Sequence, residues 1–122
     1  MKDIAVFDTN ILIDFSHQHP EAQKTLSAYS MRLISIVTWV EFLTGIPDMQ
    51  ENISRAFLQD MFDIIYPEQR IYEQTLAIRR ARRLKLPDAM IYATSLIEGV
   101  PLITRNTKDF DESMDGVYIP YT

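Results

Sequence analysis

The sequence predicts an α/β fold in which a mainly parallel sheet carries helices on both faces. Short apolar runs alternate along the chain with longer segments in which apolar residues recur at helical spacing, as in βαβ units. The first apolar run, at positions 4–7, is unbroken, which is typical of a central parallel strand covered on both faces. The chain has 122 residues, no repeat and no stretch rich in Pro, Gly or Ser, so residues 1–122 are expected to form a single domain.

Proline, glycine and capping residues mark where the predicted elements begin and end. Asp8 and Thr9 are candidate N-caps for a first short helix, and Pro20 suits the first turn of a second. Gly45 and Gly99 stand where a helix end favours a left-handed residue, and a proline follows each of them two positions later. The predicted elements are strands at 3–7, 32–36, 102–104 and 117–119, a short strand or link at 64–66, and helices that begin at Asp8-Thr9, Pro20 and Thr38 or span 49–61, 68–84 and 88–98.

The composition excludes several classes of protein. Without cysteine the chain has no disulfide framework, thiolate zinc site or cysteine nucleophile. It contains no apolar run of roughly 20 residues, the length that spans a bilayer. The first segment, MKDIAVFDTN, lacks the features of a signal peptide. The protein is therefore expected in the cytoplasm, with no membrane partner.

The net charge of −5 argues against a protein that coats nucleic acids, but the charges are unevenly distributed. Five of the 12 basic residues form what we call the basic cluster, Arg79, Arg80, Arg82, Arg83 and Lys85. Four acidic residues form what we call the acidic segment, Asp109, Asp111, Glu112 and Asp115.

Three acidic residues lie where solubility does not explain them. Asp8 ends a buried strand, Glu41 lies within the apolar segment 36–43, and Asp88 opens a helix that is otherwise small and apolar. Each has a plain structural alternative: Asp8 and Asp88 could serve only as helix-start residues, and Glu41 could pair with an arginine in the core. Their joint placement is what favours a functional site.

The carboxyl ends of the predicted strands give these acids a place to meet. Ligands of a doubly wound sheet gather beyond those ends, where Asp8 lies and where Asn106 and Asp109 follow the strand at 102–104. Asp109 could also be ordinary turn chemistry. Carboxylates that converge raise one another's pKa, a penalty that a divalent cation removes. Oxygen ligands without cysteine favour Mg²⁺ or Mn²⁺, bound as one or two ions.

Four segments of the chain resemble the PIN-domain ribonucleases, and more narrowly the VapC-type toxins of toxin–antitoxin pairs. They occur in the family's order and span nearly the whole chain. The segments are VFDTNILID at 6–14, SIVTWVEFLTG at 35–45, LPDAMIYAT at 86–94 and LITRNTKDF at 102–110.

The resemblance implies a three-layer α/β/α domain and an endoribonuclease that depends on Mg²⁺ or Mn²⁺. Asp8, Glu41 and Asp88 match three acidic positions of the family's catalytic, metal-binding site. Many members carry aspartate where this chain has Asn106, so Asp109, three residues later, is assigned as the fourth acid. The expected supporting residues are Thr9, Thr104 and Asn106.

The implied reaction is hydrolysis of an RNA phosphodiester by a metal-activated water, which leaves a 5′-phosphate and a 3′-hydroxyl. Arg105 and three members of the basic cluster, Arg79, Arg82 and Arg83, are candidate phosphate contacts. For the cluster, a solvated helix surface is an equally good interpretation. The resemblance also implies an RNA substrate (tRNA, rRNA or mRNA), a VapB-type antitoxin partner and a homodimer.

Two other functions remain open at this point. An aspartate-nucleophile phosphatase also places Asp after its first strand, but it usually needs a second acid two residues later, where this chain has Asn10. A non-catalytic PIN-like module that binds RNA or protein is the other, and the presence of all three acids argues against it.

Overall fold

The computed structural model describes residues 3–122 and contains a five-stranded parallel sheet between two layers of helices. The strands lie in the order β3-β2-β1-β4-β5, so the first strand is central and has β2 and β4 as neighbours. A single 3₁₀ turn, Asp48–Gln50, precedes the fourth helix. The elements in chain order are β1 (Ile4–Phe7), α1 (Thr9–Ser16), α2 (Pro20–Ser27), β2 (Met31–Ser35), α3 (Ile36–Thr44), α4 (Glu51–Met61), β3 (Asp63–Ile65), α5 (Gln69–Ala81), α6 (Leu86–Glu98), β4 (Leu102–Ile103) and β5 (Val117–Tyr118).

Each central strand sends alternate side chains to two separate cores, as the two-residue period of a strand requires. On β1, Val6 packs with the residues of α5 and α6, whereas Ala5 and Phe7 pack on the opposite face with those of α1, α2 and α4. On β4, Leu102 and Ile103 divide in the same way. The sheet is therefore covered on both faces, and the predicted three-layer α/β/α class is confirmed.

The pairing of the strands brings three chain segments to one edge of the sheet. Val6 lies opposite Leu33 of β2 and Leu102 of β4, so β1, β2 and β4 run side by side in the same direction. Beyond their carboxyl ends follow the start of α1, the start of α3 and the segment at 104–109. The predicted site residues come mainly from these segments.

The structure corrects three of the predicted boundaries. Ser35 rather than Thr38 caps α3, because its hydroxyl accepts the Val37 N–H at 3.0 Å and the helix begins at Ile36. Helix α5 ends at Ala81 instead of continuing to 84. Gly45 ends α3 with φ −86°, not in the left-handed region, whereas Gly99 is left-handed with φ 71°, as predicted.

None of the helices within residues 3–122 has the length and apolar character needed to cross a bilayer.

Candidate active site

Asp8 lies at the end of β1 and is the N-cap of α1. Its backbone is extended, and its Oδ1 accepts the Thr9 N–H at 2.7 Å. Its Oδ2 accepts the Thr104 hydroxyl at 2.8 Å and the Asn10 side-chain amide at 3.3 Å. With only 4% of the residue exposed, both carboxylate oxygens are held in a fixed orientation inside the protein.

The environment of Asp8 disfavours its charge. Burial raises the pKa of Asp8 to about 6; the hydrogen bonds from Thr104 and the Thr9 N–H oppose that rise, and the carboxylates of Asp88 and Glu41 add to it. When the pKa of a carboxylate is raised this far, a cation placed between the carboxylate and its acidic neighbours stabilises its charged form. Asp8 is thus more than a capping residue.

Glu41 reaches the same site from α3. The Thr9 hydroxyl donates a hydrogen bond of 2.6 Å to Glu41 Oε1 and lies 3.1 Å from the Thr38 hydroxyl. Thr38 and Glu41 are three residues apart, so both lie on one side of α3, the side that faces α1. Helix α3 begins directly after β2. Glu41 itself is exposed to solvent and accepts from Thr9, not from a core arginine.

Asp88 is in the first turn of α6 and is half-buried. Burial raises the pKa of Asp88, and the charges of Asp109 and Glu41 raise it further, while Lys85 opposes them. Asp8, Glu41 and Asp88 therefore repel one another in every pairwise combination, and Asp109 joins them through Asp88. These acids, which are far apart in the sequence, therefore lie close together, as their joint placement predicted; that they form a catalytic site stays a prediction.

Asn106 and Asp109 form a small ring of hydrogen bonds in the turn after β4. The Asn106 amide donates to Asp109 Oδ2 at 3.0 Å, and the Asp109 N–H donates to Asn106 Oδ1 at 3.2 Å. The Asn106 N–H donates in turn to the Thr104 hydroxyl at 3.0 Å. The turn is thereby joined to Asp8 through Thr104, which is fully buried.

Arg105 has a partner that the sequence analysis missed. Its Nε and Nη2 donate to the two carboxylate oxygens of Asp14 at 2.5 and 2.9 Å. A bidentate pair of this kind occupies one edge of the planar guanidinium. Arg105 therefore holds α1 to the turn after β4, and its contact with RNA phosphate stays a prediction.

Two further residues lie beside these acids and were not among the predicted site residues. Asn10 bridges Asp8 and the Arg105 N–H through its two side-chain atoms, and Thr38 lies beside the Thr9 hydroxyl. Asn10 carried a signal, since it completes the Asp-Thr-Asn triplet at the end of the first strand. Thr38 was assigned to a helix cap, which hid its place three residues before Glu41.

The basic cluster lies at the end of α5 and in the link to α6, where all five side chains are exposed. The hydrogen bonds from Ser113 lower the pKa of Asp111, and the charge of Arg82 lowers it further, so Arg82 lies near the acidic segment. Four of the cluster's members and Leu84 border a surface cleft of about 400 Å³: Arg79, Arg82, Arg83, Leu84 and Lys85. The cluster lies next to the site, since Lys85 is close enough to Asp88 to lower its pKa.

The residues of the site fit a hard divalent cation in their chemistry. Asp8, Glu41, Asp88 and Asp109 supply oxygen ligands only, and their mutual repulsion is the charge that such an ion would neutralise. Across residues 3–122, no group of three or more His, Cys, Asp or Glu side chains is arranged to hold an ion as it stands. Glu41 instead accepts from Thr9, and Asp109 from Asn106.

Comparison with known proteins places this chain among known folds. A family model described as "PIN domain" matches residues 5–113. Ribonuclease VapC1 of Methanocaldococcus jannaschii is 30% identical over 113 residues, which cover 85% of this chain and 76% of the relative.

Two solved structures have the same architecture. A chain of a toxin–antitoxin complex from Klebsiella pneumoniae is 42% identical, with a TM-score of 0.87 over 96% of this chain and 98% of that one. A chain of VapBC2 from Rickettsia felis, crystallised with a promoter DNA fragment, has a TM-score of 0.78 at 18% identity, over 93% and 95% of the two chains, and shares the fold. With a family match over most of its length and a relative at this level of identity, the chain belongs to the PIN-domain family.

Proposed function

We propose that this protein is a metal-dependent endoribonuclease and the toxin of a toxin–antitoxin pair. The observation that carries the proposal is that Thr9 contacts both Asp8 and Glu41 beyond the carboxyl ends of β1 and β2, with Asp88 near enough to raise the pKa of Asp8. Acidic side chains held close together repel one another, which destabilises the folded protein. A site that keeps such acids together is typical of cation binding or of proton transfer.

Asp8, Glu41, Asp88 and Asp109 would hold one or two Mg²⁺ or Mn²⁺ ions. When bound, such an ion acts as a Lewis acid toward a phosphate oxygen and lowers the pKa of water. The electrostatic contact between Asp109 and Asp88 supports Asp109 as the fourth acid, with Asn106 as the residue that orients it. Fixed ligands reduce the reorganisation that binding requires.

The neighbouring hydroxyls and amides orient the acids. Thr104 and the Thr9 N–H donate to opposite oxygens of Asp8, which leaves the remaining lone pairs of the carboxylate in set directions. The Thr9 hydroxyl does the same for Glu41. Thr9 and Thr104 are two of the three supporting residues that the sequence predicted, and their role in catalysis stays a prediction.

The phosphatase alternative is disfavoured by Asn10. In that chemistry the residue two positions after the nucleophile donates and accepts a proton, whereas the Asn10 amide donates to Asp8 and its carbonyl accepts the Arg105 N–H. An amide in this position cannot act as a general acid. RNA hydrolysis is therefore the function that the geometry supports best.

The similar proteins support the substrate and the partner. One relative is named a ribonuclease, and the 42% identical chain comes from a toxin–antitoxin complex. We accordingly propose RNA as the substrate and a VapB-type antitoxin as the partner. The homodimer and the cytoplasmic location stay predictions from resemblance and composition.

The first test is cleavage of labelled structured RNA by purified protein freed of any bound partner. We expect cleavage with Mg²⁺ or Mn²⁺, none with EDTA, and products that carry a 5′-phosphate and a 3′-hydroxyl. Cleavage that persists in EDTA would reject the metal dependence. Release of phosphate from small phosphomonoesters, with intact RNA, would instead support the phosphatase.

The basic cluster gives a second prediction, because phosphate contacts affect binding more than turnover. The triple variant Arg79→Gln, Arg82→Gln, Arg83→Gln is expected to raise KM for RNA about tenfold with kcat nearly unchanged. Its salt dependence, the slope of log affinity against log salt, should fall by about two, since each contact with single-stranded RNA contributes about 0.7. Lys24→Gln, on the exposed side of α2, is the control. An unchanged KM would leave the cluster as a solvated surface.

A further inference from the structure

One polar contact near the site is unexplained by the proposed chemistry. Asp14 lies on α1, six residues after Asp8, and has only 13% of its side chain exposed. It accepts two hydrogen bonds from the Arg105 guanidinium and a third, of 2.8 Å, from the Tyr121 hydroxyl. A salt bridge on an open surface contributes little, but this one is bidentate, partly buried and supported by a third donor.

Asp14 and Asn10 both form hydrogen bonds with Arg105. The Asn10 carbonyl accepts the Arg105 N–H at 3.1 Å, while Asp14 binds the Arg105 side chain. Asn10 and Asp14 are four residues apart, so both lie on one side of α1. Helix α1, for which Asp8 is the N-cap, therefore holds Arg105 twice, once through the backbone of Arg105 and once through its side chain.

The residues on either side of Arg105 contact what we call the carboxylate site, Asp8, Glu41, Asp88 and Asp109. Thr104 donates to Asp8, and Asn106 exchanges two hydrogen bonds with Asp109. A displacement of Arg105 therefore moves the donor to Asp8 and the turn that carries Asp109 together. The distance between Asp109 and the other acids depends on this attachment.

We infer that Asp14, Arg105 and Tyr121 form a clamp that positions Thr104 and Asp109 relative to Asp8 and Asp88, and so sets the affinity of the site for a divalent cation. The inference rests on the proposed function, because it names a property of the same site. Asp14 is a positioning residue, because the contacts through which it would act on the site are those with Arg105 and Tyr121. Burial raises the pKa of Asp14, but the hydrogen bonds from Arg105 and Tyr121, together with the charges of Arg105 and His19, bring it below its ordinary value.

The clamp predicts weaker metal binding without loss of the fold. Calorimetric titration of RNA-free protein with Mn²⁺ is expected to give a dissociation constant about tenfold higher for Asp14→Asn than for the natural chain, in the range found for residues that orient metal ligands. Tyr121→Phe removes one hydroxyl from the clamp and should raise the Mn²⁺ dissociation constant two- to threefold. Arg105→Lys keeps the charge but loses the bidentate contact, and should fall between them.

RNA cleavage measured over a range of Mn²⁺ concentrations gives the second readout. The Asp14→Asn variant should need more metal for half-maximal rate and recover to within about threefold of the natural rate at saturation. Glu51→Gln is the matched control, because it breaks the exposed pair between Glu51 and Arg55 on α4, away from the site. It should leave the Mn²⁺ dissociation constant unchanged.

The outcomes separate the clamp from the proposed function. If the natural chain binds no Mn²⁺ and cleaves no RNA, the proposed function fails and the clamp fails with it. If the natural chain does both and folded Asp14→Asn binds Mn²⁺ equally well, the clamp alone is rejected. Should Asp14→Asn fail to fold, the other two variants decide the question. The Mn²⁺ dissociation constant should rise from the natural chain to Tyr121→Phe and again to Arg105→Lys, and equal constants overturn the inference.

Discussion

RNA cleavage by the Asp8→Asn variant is expected to fall by about 10³ or more, which corresponds to about 4 kcal/mol of lost transition-state stabilisation. Asp8 is the buried member of the carboxylate site and repels both Glu41 and Asp88. Replacing it by a neutral amide removes a charged oxygen ligand and its repulsion with Glu41 and Asp88, which favours a cation. Asp88→Asn should have a similar effect, because Asp88 has three acidic neighbours, Asp8, Glu41 and Asp109.

The measurement is a single-turnover rate on labelled RNA with saturating Mn²⁺, together with a circular dichroism spectrum for each variant. Asp60→Asn is the matched control: it makes the same substitution at an exposed residue of α4 and should keep the natural rate. Asp109→Asn should lose less, about 10–100-fold, if Asp109 acts chiefly through Asp88. A folded Asp8→Asn protein that keeps a tenth of the natural rate would contradict the role given to Asp8.

The position of Asp8 could be predicted from the sequence because two local signals agree. The unbroken apolar run at 4–7 predicts a central strand, and Asp-Thr-Asn at its end predicts the start of a helix. In a parallel sheet these two features together place Asp8 at the carboxyl edge. The acids at 41 and 88 were placed by the same reasoning, since each also follows a strand or opens a helix.

The start of α3 could not be predicted from local preference. Ile36 and Val37 are β-branched, and such residues favour strands, so the strand was expected to continue to position 36. In the structure Ser35 caps the helix, and Val37 packs beside the core formed with α5 and α6. Packing against the sheet outweighs the intrinsic preference and turns Thr38 toward Thr9.

The reason why α5 ends at Ala81 can be found in the sequence. The buried positions of the helix are Ile71, Thr75 and Ile78, and the next position on that side is Arg82. Continuing the helix would bury the Arg82 guanidinium, so the backbone becomes extended there instead and Leu84 fills the core. The pairing of Asp14 with Arg105, 91 residues apart, has no local signal at all.

In EDTA, the Asp8→Asn variant is expected to be more stable than the natural chain, and the size of the gain should depend on pH. The pKa of Asp8 is about 6 in the folded protein and 3.8 as its ordinary value. Ionisation of Asp8 therefore opposes folding: the cost is absent below pH 3.8, grows between these values and is complete above about pH 6. The shift corresponds to at most about 3 kcal/mol.

Part of that gain is lost because asparagine meets an environment of donors. Thr104, Asn10 and the Thr9 N–H all donate to Asp8, and an amide can accept at only one of its two atoms, which costs about 1 kcal/mol. The net gain of about 2 kcal/mol should raise Tm by roughly 4–8 °C at pH 7.5 and disappear near pH 4. Thermal denaturation followed by circular dichroism at both pH values measures it.

Adding Mn²⁺ should reverse the order of stability. An ion that binds only the folded state stabilises the natural chain by about 2.7 kcal/mol at a concentration 100 times its dissociation constant, whereas the variant has lost the ligand that makes binding favourable. The natural chain then has the higher Tm, although it has the lower Tm in EDTA. A variant that is less stable than the natural chain at pH 7.5 in EDTA would mean that Asp8 is a structural cap, and that its charge imposes no cost for a cation to relieve.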